Sequence, residues 1–153
     1  MQDNLVNWVN QWRLQENLES KLNHFYLEER LLYDFSQKLI ANANMEILVA
    51  NPYVKKCHIS EALKTMSKKG IIVELITRHS NNEYIKVLTE NGVSIIYDDS
   101  VHAKLTVVDR RVGISSSMNY YAGSTGGELW EAGIVTLEES TVQSIAKSIL
   151  KKT

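Results

Sequence analysis

The chain has 153 residues, about one domain's length. Its balance of 44% hydrophobic and 23% charged residues is that of a globular protein and not of a disordered one. Its 17 Lys plus Arg against 18 Asp plus Glu leave a formal charge of −1, which excludes a chain that coats nucleic acid through bulk positive charge. The one cysteine, Cys57, cannot form an internal disulfide, no Cys/His spacing suits zinc, and the N-terminus lacks the pattern of a secretory signal. The longest apolar runs fall far short of a membrane span, so a soluble, reduced, cytoplasmic protein is expected.

Residues 1 to 44 contain no glycine or proline. Leu5, Trp8, Val9 and Trp12 fall at helical spacing, and Leu18, Leu22, Phe25, Tyr26, Leu32, Phe35 and Leu39 continue in helix-like steps, which predicts one or two helices. From Met45 the texture alternates: a strand over 46–50, a helix over 59–69, a strand over 71–77, a helix over 81–91 and a strand over 93–97. Gly70 and Gly92 stand where C-terminal cap glycines would hand each helix to the next strand. This βαβαβ order implies parallel strands covered by helices. Three β-like runs follow in succession over 102–109, 111–119 and 128–137. An amphipathic segment from Ser140 to Lys151 predicts a closing helix. The expected fold is an α/β sandwich with a central mixed sheet flanked by helices and an extra N-terminal helix.

The run HAKLTVVD carries the first chemistry. With side chains alternating along a strand, His102 and Lys104 share one side, and Asp109, of opposite parity, is set apart in a supporting role. In the next run Ser115, Ser117 and Asn119 share a face. They offer hydroxyls and a carboxamide, which can hold phosphate oxygens without adding negative charge. Glu131, in the third run, is a carboxylate of the kind that accepts a bond from a histidine Nδ1–H and leaves Nε2 free to attack.

These residues resemble the phospholipase D superfamily, whose H-x-K-x4-D-x6-G-S-x-N signature is met by His102, Lys104, Asp109, Ser117 and Asn119 in register. Ser116 stands where that family usually has glycine, and Glu131 matches its downstream acidic residue. The resemblance also takes in the segments around ILVANPYV and GIIVELIT. It implies a catalytic domain over 31–153 with one such motif, and a helical extension over 1–30 that resembles nothing we can name.

The resemblance further implies phosphodiester chemistry that needs no metal or other cofactor. His102 would attack phosphorus, and Lys104, Ser117 and Asn119 would bind the phosphate. Because two such motifs are needed and the chain has one, a homodimer with its active site at the interface is expected. A small nuclease acting on DNA or RNA is the leading expectation, with no membrane partner. The alternatives are a phospholipid hydrolase or transphosphatidylase, and a nucleic-acid-binding module of a larger regulator or restriction system. A lipid enzyme would want an apolar patch beside the site, for which Trp8 and Trp12 are the only sequence candidates, although both read more simply as helix anchors. Arg110 and Arg111 are candidate contacts to a nucleic-acid backbone. His24, His58 and His79 read as structural or exposed, with His79 of interest because it ends a parallel strand.

Overall fold

A computed structural model describes residues 3–153. In chain order the elements are α1 (Asn4–Gln15), β1 (His24–Glu28), α2 (Glu29–Ala41), β2 (Glu46–Ala50), α3 (His58–Lys68), β3 (Ile72–Thr77) and α4 (Glu83–Glu90). They continue with β4 (Ser94–Tyr97), β5 (Leu105–Val108), β6 (Val112–Ser116), α5 (Ala122–Thr125), β7 (Ala132–Thr136) and α6 (Glu139–Leu150). All seven strands join one mixed sheet in the order β1-β7-β6-β5-β2-β3-β4. β2, β3 and β4 run parallel through the α3 and α4 crossovers, and every other pairing is antiparallel. The expected α/β sandwich is therefore present. Gly70 and Gly92 hold φ of 93° and 96°, the left-handed cap conformation that lets each helix turn directly into a strand.

Period-two alternation sorts the apolar side chains between two layers. Ile47, Val49, Val73, Leu75, Val108, Ile114 and Val135 enter a large cluster with the inner faces of α1 to α4. Leu48, Ala50, Ile76 and Val107 pack instead against Val142, Ala146 and Ile149 of α6. α6 packs chiefly over β5, β2 and β6. Farther along that face, Tyr26 of β1 and its cross-strand partner Ile134 of β7 remain exposed.

In the N-terminal forty residues the expected helices form as α1 and α2, but a strand stands between them. Residues 24–28 form the edge strand β1, with Leu27 buried and Tyr26 and Glu28 turned outward. Its partner β7 lies more than 100 residues on, so the contact that decides its conformation is invisible to local spacing. α1 does form, capped by Asp3, whose side chain accepts the Val6 N–H at 3.2 Å. Trp8, Trp12 and Phe25 close around Phe35, with ring centroids 5.5, 4.8 and 5.6 Å away. Both tryptophans thus anchor the helix, as the simpler reading had it. Arg13 is buried behind them. It donates to the Glu19 and Leu22 carbonyls at 3.2 and 2.7 Å and lies 4.2 Å over the Phe25 ring, so its charge is spread over oxygens and a π face.

Candidate active site

The antiparallel register carries the start of β5, the end of β6 and the start of β7 to one edge of the sheet. This is the edge where β2, β3 and β4 end, the place where α/β sheets collect ligands. His102 and Lys104 sit in the extended segment that enters β5, not within the strand as the sequence suggested. That segment is still tied to the sheet, because the Lys104 carbonyl accepts the Ser116 N–H at 3.2 Å. The His102 side chain is exposed, and no hydrogen bond engages its ring among the described residues. Lys104 Nζ folds back to the His102 carbonyl at 3.2 Å.

Next to this pair, Ser117, Asn119, Ser124 and Glu131 form one connected cluster. Glu131 is 6% exposed, and its two carboxylate oxygens accept from the Ser117 and Ser124 hydroxyls. Ser124 Oγ in turn accepts the Asn119 N–H at 3.0 Å. Ser117 is held from both sides, since its N–H donates to the Ala132 carbonyl at 3.0 Å and its Oγ accepts the Ala132 N–H at 3.1 Å. Glu131 therefore orients the hydroxyls and, through Ser124, the Asn119 backbone. It makes no bond to His102, so the expected carboxylate–imidazole pair is replaced by a carboxylate–hydroxyl network. Ser115 stays outside this cluster, exposed on the sheet face. Asn119 Oδ1 is buried without any partner. Such an orphan costs about 1–3 kcal/mol and is a recurrent mark of sites shaped for something other than stability.

Asp109 is not brought to the others. It lies past the far end of β5, on the order of 20 Å along the strand from His102. Its carboxylate accepts three backbone N–H groups, from Asn44 at 2.8 Å, Met45 at 2.8 Å and Glu46 at 3.0 Å. With φ of 54° and 56°, Asp109 and Arg110 make the tight left-handed turn between β5 and β6, and the carboxylate locks that turn to the start of β2. Arg110 and Arg111 share this distant end. Arg110 pairs with Glu46 at 2.6 Å and Arg111 with Asp3 at 3.0 Å, so neither lies near the cluster.

Sequence reasoning missed Asn51 and Ser124. Asn51 is buried where β2 ends; it donates to the Met118 carbonyl at 3.1 Å and accepts the Tyr120 N–H at 3.3 Å, clamping the segment that carries Asn119. A polar residue directly after the apolar run EILVA was the one available signal. The serine in place of glycine at position 116 also finds an explanation. Ser116 pairs with Gly133, where an added Cβ would come within 2.7 Å of the Ser116 Cβ. The space that a glycine would leave on β6 is left on β7 instead.

A mixed sheet between two helical layers thus carries a His-Lys-Ser-Asn-Glu set at one edge. The chain belongs to the phospholipase D-like family, by a match over residues 37–152 to the family model described as cardiolipin synthase, PLD-like domain. Its fold is similar to that of Nuc, a phospholipase D family member from Salmonella typhimurium. The TM-score is 0.70 at 16% identity, covering 84% of this chain and 93% of that one. NucT from Helicobacter pylori gives 0.69 at 14% identity, covering 84% and 96%. The phosphatidylserine synthase of Haemophilus influenzae gives 0.68 at 13% identity, covering 90% of this chain and 40% of that one. No curated protein sequence matches the chain.

Proposed function

We propose that this chain is a metal-independent phosphodiesterase, most simply a nuclease for DNA or RNA, that works as a homodimer. The observation that carries the reading is the unengaged, exposed His102 ring at the same sheet edge as Lys104, Ser117, Asn119 and Glu131. The fold it shares with Nuc and NucT supports the same reading. His102 Nε2 attacks phosphorus and the bond to the leaving oxygen breaks, while a second histidine donates its proton to that oxygen. Water then attacks the phosphohistidine, its proton returns to the second histidine, and the P–N bond breaks. Lys104 and Asn119 hydrogen-bond the phosphoryl oxygens as charge develops on them, while Ser117, whose hydroxyl proton is committed to Glu131, holds the site's shape instead of binding phosphate as the resemblance implied. Asp109 supports the site only through the β5–β6 turn. The second histidine comes from His102 of the partner subunit, and the sheet face bearing the exposed Tyr26 and Ile134 is where that subunit docks.

A lipid diester is the second reading. It rests on Leu129 and Trp130, 52% and 78% exposed and directly preceding Glu131. One experiment separates the two: incubation with single- and double-stranded DNA, RNA and phospholipid vesicles in EDTA, comparing wild type with His102→Ala. Nucleic acid is expected to be cut despite the chelator, with a loss of three or more orders of magnitude in the variant, as for removal of a covalent nucleophile. Cleavage of lipid alone would move the assignment to the second reading, and tight nucleic-acid binding without turnover would make the chain a binding module.

A further inference from the structure

The same sheet edge carries a second group of side chains that the reaction does not use. Tyr53 follows β2, Arg78 and His79 follow β3, and Tyr97 ends β4. The His79 ring stacks on Tyr97, with centroids 4.3 Å apart and planes at 13°. Asp99 Oδ1 fixes it there, 3.0 Å from Nδ1, and also accepts the His79 N–H at 2.9 Å. The Arg78 guanidinium lies 5.3 Å from the Tyr53 ring centre and donates to the Tyr53 hydroxyl at 2.9 Å. Its Nε donates at 2.7 Å to the carbonyl of Val101, the residue before His102, so this group is tied to the segment that bears the nucleophile. Tyr53 and Tyr97 are 48% and 45% exposed. Beyond Tyr97 opens a cleft of about 690 Å³ bordered by Ser80, Asn82 and Lys86.

The charges around these rings decide what they hold. Asp98 and Asp99 lie beside them, and Glu83 and Glu90 line the cleft, against Arg78, Lys86 and Lys152, the last 3.6 Å from Asp98. That balance repels a run of phosphates but leaves the π faces open to neutral bases. A duplex keeps its bases inside and would press phosphates on the carboxylates, whereas a single strand can turn its bases outward onto rings. We propose that Tyr53 with Arg78, and His79 with Tyr97, form a base-stacking platform that selects single-stranded nucleic acid for the His102 site. This rests on the nucleic-acid reading above and names the substrate class within it.

The test measures fluorescence anisotropy in EDTA with the full chain carrying His102→Ala, so that probes survive. The probes are a single-stranded oligothymidylate, an abasic strand of equal charge, and a duplex of equal length. The base-bearing single strand is expected to bind about fivefold or more tighter than the other two. Tyr97→Ala and Tyr53→Ala should each weaken it by about five- to hundredfold while leaving the abasic strand within about twofold, and Tyr97→Phe should restore it. Equal binding of the abasic strand or the duplex, or a uniform loss for all three probes, overturns the proposal. Hydrolysis of bis(p-nitrophenyl) phosphate by the chain with His102 intact reads the phosphoryl chemistry separately. Base-dependent binding without hydrolysis sinks the phosphodiesterase reading and leaves the platform standing. Hydrolysis without base dependence sinks the platform alone.

Discussion

Tyr120 lies at the base of the site, wholly enclosed, with its hydroxyl 2.6 Å from Thr106 Oγ1. Burial pushes its pKa up to about 12, because a phenolate there would lose its hydration. The folded chain therefore keeps a proton that the unfolded chain gives up near pH 10. The resulting stabilisation is complete below pH 10 and drains away as pH rises toward 12. For a shift of this size it amounts to roughly 3 kcal/mol. Tyr120→Phe should lower stability at neutral pH by about 1–3 kcal/mol, the cost of stranding the Thr106 hydroxyl. It should also flatten the decline above pH 10. Urea midpoints of both proteins between pH 8 and 11.5 check this, and parallel curves would contradict it. Tyr84, which donates to Glu61 at 2.7 Å, is shifted in the same direction by burial and by that carboxylate, so it adds to the alkaline loss in both proteins.

Among the elements, the pairing of β6 with β7 is tightly constrained by volume. A methyl group on Gly133 would meet the Ser116 Cβ at 2.7 Å and the Ser115 carbonyl at 2.9 Å. Gly133→Ala should therefore cost about 1–3 kcal/mol by overpacking. Ser116→Gly in that background should recover part of it, though not all, since the Ser115 carbonyl stays in place. Denaturation of the four proteins gives the coupling directly, and strictly additive losses would sink the idea that the two positions share one space. Strand and helix texture from Met45 to Tyr97 was legible because α3 and α4 alternate with strands at their own periods and end on glycines that need positive φ. β1 was not, since HFYLE is shaped by a strand at the other end of the chain. His102, Lys104, Ser117 and Asn119 could be read from spacing. The burial of Glu131 under two serine hydroxyls could not, because Ser124 reaches it only through the one-turn helix α5. The parity of Asp109 separates it from His102, but its three backbone partners, Asn44 and Met45 before β2 and Glu46 at its start, lie some 65 residues earlier in the chain.

At the scale of the whole molecule, each copy presents one His102 and the exposed Tyr26 and Ile134 on its sheet face. If the reaction needs two imidazoles, activity must follow association. Ile134→Asp, on the exposed face and away from the cluster, should shift the chain to monomer in sedimentation and lower specific activity in proportion to the dimer lost. A fully active monomer would refute the shared site.

The aromatic knot of Trp8, Trp12, Phe25 and Phe35 has a practical meaning for anyone shortening the protein. The family match begins at residue 37, within α2, so cutting at that boundary would discard α1, β1 and more than half of the helix they brace. The remnant would show bare strand edge along β7 and an oily flank, and insoluble expression is its expected fate.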